Sequence, residues 1–132
     1  REELWHASAG HETCLLRTPT AGWVELEATG TLIGVDPEQT WDGVRTPAPR
    51  GSLFVGLTDG VTEAMDPAGR QFGRERLAEI VTTAGSVSAS ELVRRIDSAV
   101  TAHRGTATAT DDVTVLAVSF RFEELSEQQW FC

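Results

Sequence analysis

Two short runs place carboxylates where a strand would end. Thr58-Asp59-Gly60 directly follows the apolar run Leu53–Leu57, and Thr110-Asp111-Asp112 directly precedes Val113–Phe120. An ionised carboxylate is not accommodated unpaired inside an apolar strand, because desolvating the charge is costly. At a strand end it can face a cleft. If the two strands are neighbours, Asp59, Asp111 and Asp112 meet in a small volume, where like charges require a cation between them. Such hard oxygen ligands favour Mg²⁺ or Mn²⁺ over zinc. Gly60 lets the backbone come close to an ion or its waters. The same residues also have a plainer reading. Asp-Gly is a common turn, Asp caps helical turns, and Asp111-Asp112 reads as a solvated strand start. On the residues alone both readings stay open.

The remaining chemistry-bearing residues are less pointed. His11 follows Ala9-Gly10 and reads as a hydrogen-bonded turn residue, His103 ends a helix and suits its dipole, and His6 has no evident partner. No Ser-His-Asp or Cys-His arrangement follows from spacing. Neither the dinucleotide-binding nor the P-loop glycine pattern is present. Arg70, Arg74 and Arg76 cluster around Phe72-Gly73. Their guanidinium forks suit a phosphorylated partner, or they form a solvated helix start.

The elements that must position these residues follow from periodicity and punctuation. Residues 3–8 and 12–17 read as short strands. The second forms a hairpin with Trp23–Leu26 across the turn-rich Pro19–Gly22. Gly30–Asp36 reads as a glycine-bounded apolar loop or short strand, and the proline-rich stretch 36–51 as irregular with a strand near Gln39–Val44. Leu53–Leu57 reads as a buried strand. A helical turn over Val61–Met65 and a turn at Asp66–Gly69 follow. Leu77, Ile80, Val81 and Ala84 make one helical stripe over 73–84, with Gly85 placed as a C-terminal cap. Ser88 to Glu91 fits a capping box opening a helix whose stripe is Leu92, Ile96, Ala99 or Val100, and His103. Val113–Phe120, rich in β-branched residues, reads as a central strand. The order is that of a mixed α/β or α+β domain.

Composition sets the bounds. The chain has 132 residues, 40% apolar and 23% charged, which suits one globular domain. No apolar run approaches the ~18 residues a membrane-spanning helix needs, and no signal peptide is visible. Acidic residues outnumber basic ones 20 to 11, every basic residue is Arg, and the net charge is −9. Such a surface repels phosphate backbones, so nucleic acid is not an expected partner. Cys14 and Cys132 make no disulfide framework, and a reducing, cytoplasmic setting is expected. The chain begins at Arg1 and its only methionine is Met65. It therefore reads as a piece of a longer protein, with a domain over 1–122 and an acidic tail or linker over 123–132.

Several motifs occur in a telling order: Ala7-Ser8-Ala9-Gly10-His11, Gly34-Val35, Leu57-Thr58-Asp59-Gly60-Val61-Thr62-Glu63-Ala64, Phe72-Gly73-Arg74-Glu75-Arg76-Leu77 and Asp111-Asp112-Val113-Thr114. The chain thereby resembles the C-terminal two thirds of a bacterial PP2C-type metal-dependent protein phosphatase, of the SpoIIE or RsbU-like subclass. The resemblance implies an α+β fold, a β-sandwich of two mixed sheets flanked by helices in α-β-β-α layers, here incomplete at its N-terminus. It implies a centre of two Mn²⁺ or Mg²⁺ ions at one end of the sandwich, with Asp59 and Asp111 as catalytic metal ligands and Gly60 and Asp112 beside them. It further implies hydrolysis of phosphoserine or phosphothreonine on a phosphorylated anti-anti-sigma-type protein by metal-activated water. The family's first metal-binding carboxylate lies in an N-terminal segment that precedes the part matched here. Exposed strand edges then suggest a dimer, or pairing with the missing segment as a separate chain, and a catalytically silent interaction module is the alternative reading. A sugar or nucleotide enzyme using the same carboxylates has no support from the loops.

Overall fold

The computed structural model describes residues 2–120. Six strands and three helices follow one another as β1 (Glu3–His6), β2 (Cys14–Thr18), β3 (Gly22–Leu26), β4 (Val44–Pro47), β5 (Leu53–Leu57), α1 (Asp59–Thr62), α2 (Arg74–Thr83), α3 (Ala89–Arg104) and β6 (Val115–Ser119). They form a four-stranded sheet in the order β3-β2-β5-β6 and a two-stranded sheet of β1 and β4. The resemblance implies mixed sheets, but every pair of named strands here is antiparallel. Outside the named strands, an isolated bridge from Ala9 to Gly30 is the one parallel contact among the described residues.

Strand alternation builds the layers. Leu15, Leu53, Val55 and Leu57 point to one face of the large sheet and form a buried cluster with Leu77, Val81, Leu92, Ile96 and Val100 of the helices. Leu16 and Leu26 point to the other face and pack with Ala48, Leu4 and Phe54. Helices thus cover one face and the small sheet covers part of the other. This is an α-β-β portion of the expected sandwich. Each fully buried aliphatic side chain contributes about 1.5–3 kcal/mol, so the helix-facing cluster dominates the stability.

Three expectations are corrected. The strand expected over Gln39–Val44 lies at Val44–Pro47. Trp41 is committed to the preceding loop, where its Nε1 donates to the Thr31 carbonyl at 2.8 Å. The strand instead begins where Arg45 opposes Trp5 across the β1–β4 pair, its guanidinium 3.8 Å from the ring centroid. The strand read as central, Val113–Phe120, is shorter and lies at the sheet's edge among the described residues. Its Val115 and Ala117 pack on the helical core, while Leu116 and Val118 are exposed on the opposite face. The helical turn expected at Val61–Met65 starts earlier, at Asp59.

The capping box forms by half. Ser88 Oγ accepts from the Glu91 amide at 3.2 Å. The Glu91 carboxylate turns instead to Arg94 and Arg95, and these hydrogen bonds hold it below the usual glutamate range. Gly85 follows the α2 C-cap Ala84 with φ 61°, as its position suggested. The expected boundary at residue 122 and the tail over 123–132 lie outside the described residues, as does Cys132. Cys14 is a free thiol, and burial raises its pKa, helped by Glu12.

Between α1 and α2 the chain closes on a buried aspartate. Asp66 Oδ1 accepts from the Ala68 and Arg70 amides, each at 2.9 Å, and Oδ2 accepts from Arg70 Nε at 2.7 Å. The Arg70 amide and side chain hold the carboxyl at about 2, against an ordinary value of 3.8. A depressed folded-state value means that this stabilisation is present above the ordinary value and is lost as pH falls from about 4 towards 2. The thermal midpoint is expected to drop across that window. In Asp66→Asn it should be lower already at about pH 5 and flatter below it. A wild-type midpoint that holds steady down to about pH 2.5 would refute the assignment.

Candidate metal and catalytic end

The two carboxylate-bearing strand ends lie side by side because β5 and β6 are paired, with Leu57 opposite Val115. Beyond that pair one hydroxyl continues the contact. Thr58 Oγ1 donates to the Asp112 carbonyl at 2.9 Å and accepts from the Thr114 amide at 3.0 Å, and the Thr58 amide donates to the Thr114 carbonyl at 3.1 Å. A hydroxyl donates once and accepts twice, so threonine fills both roles where an aliphatic residue would fill neither.

Gly60 completes the approach. A Cβ built there would overlap the Asp112 carbonyl oxygen. The glycine is required by this contact and not by backbone conformation, since its φ is not positive. Asp59 begins α1 and is exposed, and its Oδ1 accepts from the Gly60 amide at 3.0 Å. Asp111 is exposed too, and its Oδ1 accepts from the Asp112 amide at 2.7 Å. None of Asp59, Asp111 and Asp112 forms an ion pair with another described residue.

The neighbouring cleft has a volume of about 380 Å³ and is lined by Ala9, Gly10, His11, Glu12, Leu32, Thr58 and Asp59. Glu12 forms an ion pair with Arg74 at the start of α2, tying the wall of this cleft to the helical layer. A more apolar cavity of about 450 Å³, lined by His6, Cys14, Leu26 and Phe54 among others, lies between the two sheets, and Asp59 is not among its lining residues.

As a metal site this arrangement is partial. The donors are hard oxygens that suit Mg²⁺ or Mn²⁺, and the backbone brings their two segments into contact. Yet no group of three or more His, Cys, Asp or Glu residues among those described is disposed to hold a metal ion. Asp59 and Asp111-Asp112 do not by themselves make such a group.

The other candidates resolve into structural roles. His11 Nδ1 bonds with the Glu12 carbonyl at 2.8 Å, as a turn residue should. His6 Nδ1 is buried with no partner among the described residues. His103 does more than meet a helix dipole. Its Nε2 donates to the Arg70 carbonyl at 2.9 Å, its Nδ1 accepts from Arg76 at 3.1 Å, and its ring meets Phe72 edge-on at 5.5 Å. The arginine cluster is exposed to solvent at Arg70 and Arg74, as a solvated helix start would be, and is also paired, with Arg70 on Asp66, Arg74 on Glu12 and Arg76 on His103 and the Phe72 carbonyl. The Glu12–Arg74 pair had no sequence signal, since its partners lie 62 positions apart.

Residues 1–121 match the family model described as Stage II sporulation protein E (SpoIIE). The chain belongs to that family. It is 31% identical over 115 residues to Protein IcfG of Synechocystis, covering 87% of this chain and 18% of that protein. Among solved structures it superposes on the SiaA-PP2C domain of Pseudomonas aeruginosa with a TM-score of 0.75 at 22% identity, covering 91% of this chain and 47% of that one. It also superposes on the PP2C phosphatase domain of SpoIIE from Bacillus subtilis, solved with a fragment of its regulatory domain, with a TM-score of 0.71 at 16% identity, covering 89% and 34%. A further structure of the Bacillus phosphatase domain was obtained after presoaking with manganese. The fold is thus the PP2C phosphatase-domain fold, and the chain spans under half the length of each of these first two solved relatives.

Gly60→Ala tests the stitched end directly. The added methyl must displace a backbone carbonyl, so a loss of about 1–3 kcal/mol in unfolding free energy is expected by denaturant titration. A neutral substitution would mean that the two segments are not in contact.

Proposed function

We propose that this chain supplies the Asp59 and Asp111-Asp112 side of a Mn²⁺- or Mg²⁺-dependent protein serine/threonine phosphatase. Its substrate in this reading is a phosphorylated regulator of the partner-switching, anti-anti-sigma type, and its setting the cytoplasm. One observation carries the reading: Thr58 and Gly60 hold two carboxylate-bearing ends in contact beside an open cleft. Membership of the SpoIIE family and the manganese-presoaked relative support it. No described helix is long and apolar enough to cross a membrane, which agrees with it.

In this reading Asp59, Asp111 and Asp112 would hold the ions, with Gly60 leaving room for them beside Asp59. When bound, divalent ions activate water at neutral pH and neutralise phosphoryl oxygens. The chain's own part is to fix the carboxylates. Thr58 sets the separation of the two segments, and the Gly60 and Asp112 amides each orient a carboxylate.

The silent-module reading draws on the incomplete ligand group among the described residues. Calorimetry with Mn²⁺ on the full-length protein separates the two, with binding expected under the phosphatase reading. Asp59→Asn should reduce turnover of p-nitrophenyl phosphate at least about 100-fold. Wild-type turnover in that variant would remove Asp59 from the site.

We also infer self-association through the β6 edge, where Leu116 and Val118 are exposed beside an edge left unpaired among the described residues. Light scattering on the purified chain should return about twice 14.3 kDa, and Val118→Lys should shift it towards the single-chain value. A wild-type mass equal to that of one chain would reject the association.

A further inference from the structure

Leu32, Ile33 and Val35 are 57%, 78% and 66% exposed. Three large aliphatic side chains therefore meet water within a single turn. The turn is firmly held. The Val35 amide donates to the Leu32 carbonyl at 3.4 Å, Trp41 Nε1 to Thr31 at 2.8 Å and the Thr29 amide to Ser8 at 2.9 Å. On its far side the Glu38 amide donates to Asp36 Oδ1 at 2.9 Å. At its base, a Cβ added to Gly10 would meet Leu32 Cδ2 at 3.0 Å, so the turn rests on the backbone next to His11.

Leu32 also walls the cleft that contains Thr58 and Asp59. The apolar patch is thus continuous with the candidate catalytic end. A contiguous exposed apolar patch with a polar rim marks an interaction surface. Covering it with an apolar partner is favoured by the release of water. Asp36 and Glu38 stand beside it on a chain of net charge −9, which disfavours an acidic partner segment.

We propose that the Leu32–Val35 turn docks the protein substrate of the adjoining cleft. A phosphoserine or phosphothreonine enters beside Asp59 while an aliphatic or aromatic residue a few positions away in the same segment seats on Ile33 and Val35. This rests on the phosphatase reading and adds a substrate rule to it: apolar flanks are preferred over polar ones.

The test uses the full-length protein with Mn²⁺, p-nitrophenyl phosphate and two synthetic phosphoserine peptides, one flanked by leucines and the other by serines. The leucine peptide should be favoured about tenfold or more in kcat/KM. The double variant Ile33→Ser, Val35→Ser should bring that ratio close to one at an unchanged thermal midpoint. Hydrolysis of p-nitrophenyl phosphate with no preference between the peptides overturns the docking turn and leaves the phosphatase reading intact. No hydrolysis of any of the three removes the phosphatase reading and the docking turn with it. A preference that survives the double substitution overturns the proposal. If the variant also changes from dimer to monomer, the patch is a self-contact. If it melts well below wild type, another segment of the same protein covers the patch, and the docking assignment again fails.

Discussion

One hydroxyl decides whether this fold can have a reactive end. The β5–β6 ladder ends at Leu57 and Val115, where the sequence turns from apolar to polar. Past that point two segments bearing aspartates would tend to separate. Like charges repel more strongly the closer they are brought. Thr58 counters this with hydrogen bonds to the backbone of Asp112 and Thr114, leaving the carboxylates out of the contact. Gly60 removes the side chain that would keep the segments apart. The two backbone segments are thus held in contact by groups that carry no charge, while Asp59 Oδ1 and Asp111 Oδ1 each accept from the amide of the next residue.

The layers behind this end divide their work by strand alternation. The helix-facing side of the large sheet is covered by α2 and α3 and is deeply buried. On the opposite side Leu16, Leu26 and Phe54 of β2, β3 and β5 pack with Leu4 and Ala48, while Leu116 and Val118 of β6 stay exposed. The stable half is also the half that fixes the site. β5 is buried between the layers, and its last residue leads directly into Thr58 and Asp59. A site at the end of the most buried strand inherits that strand's rigidity, while the open half remains available for further chain or partners.

What was legible in the sequence follows the range of the interaction. The β2–β3 hairpin, β5 and the stripes of α2 and α3 depend on residues a few positions apart, and their periodicity showed them. The residue types of the reactive end were also legible, because a carboxylate at the end of an apolar run has few physical outlets. Their proximity was not, since Thr58 and Asp112 are separated by 54 positions. The place of β4 was misread for the same reason. Gln39–Val44 has strand-like composition, but Trp41 is claimed by Thr31 and the strand forms where Trp5 offers Arg45 a partner. The edge position of β6 hid behind its composition, since β-branched residues mark a strand without marking its neighbours.

Under the phosphatase reading, the charges around the cleft bear on how such an end would receive a phosphoryl group. The arginines that the sequence offered as phosphate forks are all spoken for. Arg70 neutralises Asp66, Arg74 neutralises Glu12, and Arg76 is held by carbonyls and His103. The first closes a turn on itself, and the other two tie α2 to Glu12 and to His103. Asp59, Asp111 and Asp112 have no ion-pair partner among the described residues, on a chain that is already strongly acidic. The field at this end therefore repels a phosphate dianion, and phosphoryl oxygens can approach only with positive charge interposed. With these arginines already paired, the positive charge that the phosphatase reading requires would be supplied by bound divalent ions.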